Sequence, residues 1–263
     1  FSSLREDIHE REVREGLEEL PNVKKTGVVM RFAPSPSGPM HIGHAATACI
    51  SFLYVRKYGG KFYVRIEDTN PENIYPHAYK MIENEAIWLF NNEIEIIIQS
   101  YRMEIYYDYI QKLLKKNAVY ICTCLPELFE KYVEEMKNCP CRNLNVNENI
   151  ERWKKMLSKN GYKQGEAVLR FKSLKGMKEK NPAFRDFPLS RINLTPHVLQ
   201  KDKYRVWPLM NLAVSVDDIE LGITHAIRGK DHRDNAKKQE MIFRVLGKKS
   251  PWSGFLGRFN FKD

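Results

Sequence analysis

The segment from Gly27 to Glu67 limits the folds open to this chain more than any other. Residues 27–32 are β-rich, and Ala33-Pro34-Ser35-Pro36-Ser37-Gly38-Pro39 follows at once, a run whose prolines can continue neither a strand nor a helix. It must be a loop. Ala46, Cys49, Ile50 and Leu53 then recur three and four apart, which predicts a helix over 42–56, closed by the Gly59-Gly60 pair. Lys61 to Glu67 alternates with period two, sending Phe62, Val64 and Ile66 to one face and Tyr63, Arg65 and Glu67 to the other. Strand, loop, helix and strand together make a βαβ unit.

The start of that helix carries chemistry. Its unpaired N–H groups and the positive end of its dipole attract phosphate, Gly43 lets a ligand approach the backbone, and His41 and His44, three residues apart, share a face and supply donors. Arg31, Glu67 and Arg228 each fall at the carboxyl end of a predicted strand, the edge where an open α/β sheet forms its ligand crevice.

A chain of 263 residues suits one domain with a sizeable insertion. Tyr79, Ile82, Ala86 and Leu89, and then Tyr106, Ile110, Leu113 and Leu114, predict two more helices. Between Ala118 and Lys203 the composition shifts to clustered cysteines, Asn-rich stretches and a basic run that includes Arg170, Lys172, Arg185 and Arg191. The shift predicts an inserted domain over 118–203 between two halves, 27–117 and 204–263. The βα pattern returns with apolar Trp207 to Val216, a strand from Leu221 to Ile227, and a helix capped by Asp231 that runs through Ile242 and Leu246. Asp217-Asp218 reads as the turn before that strand. Residues 1–26 are expected to form a helical extension, with Ser3 as cap, Leu4, Ile8, Val13, Leu17 and Leu20 at roughly helical spacing, and Pro21 as stop. Phe1 is not a methionine and Phe259 to Asp263 halt in mid-pattern, so a fragment of a longer polypeptide is expected.

A formal charge of +10 favours polyanionic partners, because each Lys or Arg that meets a phosphate releases a counterion. The basic run is either part of such a surface or simply a solvated face. No window approaches the ~20 apolar residues of a membrane span and no signal-peptide layout opens the chain, so a cytoplasmic location without a membrane partner is expected. Cys122, Cys124, Cys139 and Cys141 form two C-x-C pairs, which suit a tetrahedral zinc site stapling a loop-rich insertion; reduced structural thiols are the alternative. Cys49 reads as a helix core thiol.

His41-Ile42-Gly43-His44 is similar to the "HIGH" signature of class I aminoacyl-tRNA synthetases. The flanks are more specific: Arg31 to Gly38 and Arg65-Ile66-Glu67-Asp68-Thr69-Asn70-Pro71 resemble the glutamyl and glutaminyl branch. Ala33 to Pro39, with Ile227-Arg228-Gly229-Lys230-Asp231-His232, most resembles its archaeal-type glutamyl members. The resemblance runs from Val28 to Asp263. It implies a Rossmann-like parallel α/β domain split by an inserted α+β acceptor-binding domain. It also implies a two-step reaction in which L-glutamate and ATP, with Mg²⁺, give glutamyl-adenylate, and tRNA(Glu) then accepts the glutamyl group; tRNA(Gln) as a further acceptor is left open.

The site residues it implies are named one by one. His41, Gly43 and His44 would stabilise the ATP phosphates, with Pro39 beside them. An acidic amino acid offers one ammonium and two carboxylates, so its site needs one carboxylate and about two cations. The resemblance gives the ammonium to Glu67 and the carboxylates to Arg31 and Arg228, without dividing α from γ. Ser35 would lie near the amino acid. Met210 departs from the pattern, since relatives usually carry a tyrosine there, and Asn211 would partly replace it. Arg170, Lys172, Arg185, Arg191 and Asp218 would meet the tRNA. The metal would be structural zinc, and the enzyme a monomer. A Lys- and Ser-rich loop and an anticodon-reading domain would follow residue 263. The competing readings are a paralogue that glutamylates a tRNA base and shares the Tyr120 to Cys124 entry, a glutaminyl enzyme, and a tRNA-binding module without catalysis.

Overall fold

The structure is a computed structural model that describes residues 16–257. Most of the helix expected over residues 3–20 lies outside the described residues, and residues 16–20 are not helical. Gly16 sits at φ +87°, and Leu20 is instead buried against the first core, its N–H donating to the Tyr58 hydroxyl at 3.2 Å.

The βαβ unit forms as β1 (Val28–Phe32), α1 (Ile42–Tyr58) and β2 (Gly60–Ile66). The two strands pair in parallel from Val28 opposite Gly60 to Phe32 opposite Val64. Gly60 is required there: its φ is +121°, and a Cβ would lie 1.9 Å from the Val28 carbonyl oxygen. The period-two pattern of β2 divides two interiors rather than core from solvent, because Phe62 to Ile66 are all buried. α2 (Ala78–Phe90) then leads to β3 (Glu95–Ile98), parallel to β2, and α3 (Met103–Lys115) follows.

The inserted region folds as β4 (Val119–Cys122), α4 (Pro126–Glu134), α5 (Val146–Leu157), β5 (Val168–Phe171), β6 (Pro188–Ile192) and β7 (Val206–Pro208). These four strands make an antiparallel sheet in chain order. Thus Trp207, expected within the returning βα pattern, belongs to the antiparallel sheet, where it pairs with Arg191.

After β7 come α6 (Met210–Glu220), β8 (His225–Gly229), α7 (Arg233–Val245) and β9 (Trp252–Leu256), the last two strands parallel. The Thr224 N–H donates to the Val29 carbonyl at 2.9 Å and the Val29 N–H to Thr224 Oγ1 at 2.9 Å, seating β8 beside β1. The two-stranded parallel unit β8-β9 therefore lies against the β1 edge of the parallel sheet β3-β2-β1, and successive strands step outward on either side of β1, a switch point. Crevices for ligands open at such a switch point, beyond the carboxyl ends of the strands.

Three local expectations change. Asp217-Asp218 is not a turn but lies inside α6, on a helix whose Leu212 to Asp218 are all buried, so no apolar period was visible there. The strand begins at His225 rather than Leu221. Asp231 sits in a short 3₁₀ turn, and His232 occupies the N-cap position of α7.

Among the described residues two large apolar cores result, with a smaller cluster around the cysteines. One lies under the parallel sheet and gathers Val28, Met30, Val64, Ile66, Ile82 and Phe90 with Ile227. The other runs from α3 through the antiparallel sheet to α6 and α7, joining Ile110, Leu113, Ile121, Leu169, Leu212 and Ile242. It crosses the composition boundaries near 118 and 203.

Candidate active site

At the carboxyl edge of β1, β2 and β8 lies a cavity of about 390 Å³. Arg31, His41, Gly43, His44, Glu67, Met210 and Arg228 line it together. Residues from chain positions nearly two hundred apart thus share one space, because the strand order brings β8 beside β1.

The Pro-rich loop is pinned rather than loose. The Glu67 N–H donates to the Pro34 carbonyl and the Tyr75 N–H to the Pro36 carbonyl, each at 2.8 Å, while the Met40 N–H donates to Glu85 Oε2 at 3.0 Å. The loop delivers His41 as the N-cap of α1, its Nδ1 accepting from the His44 N–H at 3.4 Å. The two imidazoles stack with centroids 3.6 Å apart. A Cβ on Gly43 would come within 3.2 Å of the His41 ring, so the absence of a side chain there keeps the stack and the helix start open. Burial pushes the His44 imidazole below its ordinary pKa, and His41 adds to the depression.

Beneath the cavity lies a buried charge network. Arg65, fully buried, donates from Nη2 to Glu67 Oε1 at 2.9 Å and from Nη1 to Asp218 Oδ1 at 2.6 Å. Asp218 also lies 3.4 Å from Arg31 Nε and 3.6 Å from Arg228 Nη2. Burial raises its carboxyl pKa, but Arg31, Arg65 and Arg228 outweigh that and hold it below the usual range. Asp217 accepts from Arg102 Nε at 2.7 Å and from Gln99 and Tyr106, each at 2.8 Å. Arg228 differs from Arg65. Burial, then repulsion from Arg31, pulls its pKa down to about 10, and its Nε has no partner. It is a cation short of an anion.

Other expected site residues fall elsewhere. Ser35 and Pro39 are exposed on the loop and Asn211 lies behind the cavity wall, bonded to Gln239; none is among the lining residues. Asp218, expected at the tRNA, is 2% exposed and enclosed by arginines, so it does not reach the surface. Arg185 is also inside, donating to the backbone carbonyls of Glu179 and Val133, and Arg170 lies flat on the Phe129 ring at 3.4 Å. Lys172 is half-buried and bonded to Asn117, whereas Arg191 is exposed. The sequence reasoning missed Arg65, Thr47, Ser51, His232 and Gln239. For Arg65 the signal was present, a charged residue between Val64 and Ile66 on the face of Glu67.

The sulfurs of Cys122, Cys124, Cys139 and Cys141 all lie within 4.8 Å of one another, with Cys122–Cys139 and Cys124–Cys141 at 3.9 Å. Four thiolates about 2.3 Å from a tetrahedral zinc stand about 3.8 Å apart, so the donor set fits that ion. Burial and the neighbouring cysteines push the Cys124 thiol up to about 11. Cys49 stands apart on α1, half-buried against the first core.

The family model "tRNA synthetases class I (E and Q), catalytic domain" matches residues 27–262. The chain belongs to this family. The synthetase domain is 47% identical over 251 residues to the glutamate–tRNA ligase of Methanocaldococcus jannaschii and 46% identical over 250 residues to that of Methanothermobacter marburgensis. Each alignment covers 95% of this chain and 44% of the relative, so the chain spans less than half the length of these curated relatives. Among solved structures it is similar to a glutamate–tRNA ligase from Elizabethkingia meningosepticum in complex with its amino acid, with TM-score 0.64 and 25% identity, covering 88% of this chain and 49% of that one.

Proposed function

We propose that this synthetase domain activates L-glutamate with ATP to give glutamyl-adenylate and pyrophosphate, and then transfers the glutamyl group to the 3′ end of tRNA(Glu). The observation that carries the reading is the single cavity in which a helix start with two imidazoles, one carboxylate and two arginines meet. ATP, entering with Mg²⁺, places its phosphates at His41, Gly43 and His44, where N–H groups and the helix dipole stabilise the charge of the transition state. Glu67 takes the substrate ammonium, and Arg31 and Arg228 take its carboxylates. Met210 lines the wall, at the position where the family resemblance leads one to expect a tyrosine.

The inserted region receives the acceptor end, and its cations Arg191 and Lys172 meet phosphates and set register. Zinc held by Cys122, Cys124, Cys139 and Cys141 is structural in this reading, since none of the four lines the cavity. Among the described residues no helix is long and apolar enough to cross a membrane. The cytoplasm and a monomeric state belong to the same proposal.

The test is pyrophosphate exchange and aminoacylation by the natural protein with purified tRNA species, glutamate and glutamine run in parallel. Glutamate-dependent charging of tRNA(Glu) is the expected result. Charging with glutamine alone, or silence with every tRNA, overturns the reading.

A further inference from the structure

A second cavity, of about 380 Å³, lies between α7 and β9 and shares a wall with the first. Arg228 of β8 and Gln239 of α7 line both spaces and so form the partition between them. Arg228 apart, no residue given above to ATP, glutamate or tRNA enters the second lining. Local geometry builds it. Arg233, Lys237, Glu240 and Phe243 recur three and four apart along one face of α7, and β9 turns Ser253 and Phe255, two residues apart, to the same space.

The charge of this lining is one-sided. Arg228, Arg233 and Lys237 bring three cations, while the acid among them, Glu240, already holds Arg244 at 3.2 Å on the exposed side. Among the described residues Arg233 and Lys237 meet rings rather than acids: Arg233 lies 5.5 Å from the Phe255 centroid and Lys237 5.9 Å from that of Phe184. Arg228 is buried, shares Asp218 with two other arginines, and keeps an Nε without a partner. Such a set calls for a dianion. A carboxylate brings a single charge, whereas a phosphate monoester brings about −1.5 to −2 near pH 7 and three acceptor oxygens. Ser250 and Ser253 add hydroxyl donors. The remaining wall, Phe243, Pro251 and Phe255, is apolar and suits a flat ring.

We propose that the second cavity binds a phosphate monoester with a flat apolar body, and that its phosphate, lying against the shared partition, opposes glutamate in the first cavity. Arg233 and Lys237 hold the phosphate, and the body lies along Pro251 and Phe255. The negative charge offsets Arg228 from behind, so a carboxylate on the other side meets a weaker cation. Linkage makes the effect reciprocal, and glutamate weakens the phosphate by the same factor. The site stands on its own geometry, whereas the antagonism rests on the proposed glutamate activation.

The test uses the natural full-length protein with phenyl phosphate as the probe. Calorimetry is run with ATP present and glutamate absent, so that the phosphate subsite of the first cavity is already filled. One phenyl phosphate per chain is expected, with inorganic phosphate, which lacks the ring, at least fivefold weaker. Arg233→Gln and Lys237→Gln, both at exposed positions, are each expected to weaken phenyl phosphate at least fivefold through the loss of a charge-assisted bond. Lys154→Gln, on the exposed side of α5, is expected to leave it unchanged. In aminoacylation, saturating phenyl phosphate is expected to raise the KM for glutamate at least threefold and to leave the KM for ATP within twofold. Absence of binding to the unaltered protein, or binding that neither α7 variant weakens, overturns the site. Equal affinity for inorganic phosphate overturns the role of the ring. A KM for glutamate that does not move overturns the antagonism, and a rise in the KM for tRNA in its place shows that these cations belong to a nucleic-acid surface. If the unaltered protein does not activate glutamate, the functional reading fails, and the calorimetry still decides the site.

Discussion

At the scale of single residues, the cavity is governed by one buried acid among three arginines. Asp218 is the acid that Arg31, Arg65 and Arg228 share, so Asp218→Asn leaves three buried guanidinium groups undercompensated. Removing one partner of a buried pair costs about 3–5 kcal/mol, and urea unfolding at pH 7 is expected to show a loss of that order. The sign of its pH dependence follows from the depressed carboxyl pKa. The unfolded chain binds the proton more tightly, so the stabilisation is complete above the ordinary carboxylate pKa of about 3.9 and is lost as pH falls through and below it. The gap between wild type and Asp218→Asn should therefore narrow in acid; a gap independent of pH would show that the charge is not what matters. His44 gives a second test. Its pKa is lowered by burial and by His41, so near pH 7 it is largely neutral, and a triphosphate placed against it raises that pKa. ATP binding is expected to take up protons, measured by calorimetry in buffers of different ionisation enthalpy, and His44→Gln is expected to reduce the uptake. Residues such as His41 and Glu67 were legible because their local spacing placed them at the ends of elements. Asp218 was not, since two adjacent acids resemble a turn until three arginines from distant strands are known to converge on them.

At the scale of elements, what could be read from the chain was whatever depends on local periodicity and breakers. The Pro-rich loop, the start of α1 and the alternation of β2 fall where the pattern places them, within a residue or two. α6 and β7 were not legible for the opposite reason: a helix and a strand buried on every side carry no contrast between faces, so their apolar run has no readable period. The cysteine element shows both limits. Its C-x-C spacing suggested a metal, but what brings the pairs together is β4 packing against the 3₁₀ turn Pro140–Asn143, with Arg152 Nη1 reaching Cys141 Sγ at 3.4 Å. Phe129 of α4 and Met177 pack around the sulfurs in a small cluster set apart from the two large cores. Removing the ion with a chelator, or replacing Cys124 by Ser, is expected to cost at least about 2 kcal/mol, or about 4–8 °C in melting temperature. Elemental analysis should find one zinc per chain in the untreated protein, and a melt indifferent to chelation would mark the four thiols as a structural cluster without metal.

At the scale of the molecule, the composition change near 118 and 203 suggests a separable insertion, while the packing ties that region to its neighbours. Leu169 and Leu189 of the antiparallel sheet share a core with Tyr106 and Leu113 of α3, Leu212 and Val216 of α6, and Ile242 of α7. A polar strut adds to this. His197 Nε2 meets the Asp68 carbonyl at 2.9 Å while its Nδ1 accepts from the Leu199 and Gln200 N–H groups, so a residue of the inserted region grips the one that follows Glu67. A peptide of residues 118–203 alone would expose the apolar faces that α3 and α6 cover and would lack β7, the partner of β6. With the side chains that face α3, α6 and α7 returned to water, the ordering entropy of about 1–2 kcal/mol per residue outweighs what the remaining burial returns. The excised peptide is therefore expected to be unfolded by circular dichroism and to show narrow amide dispersion by NMR, even with zinc present. The intact chain is expected to melt in one cooperative transition that includes both sheets. A folded, dispersed spectrum from the peptide, or two separate melts from the whole, would show that the inserted region stands on its own core and that the strut at Asp68 joins two independent bodies.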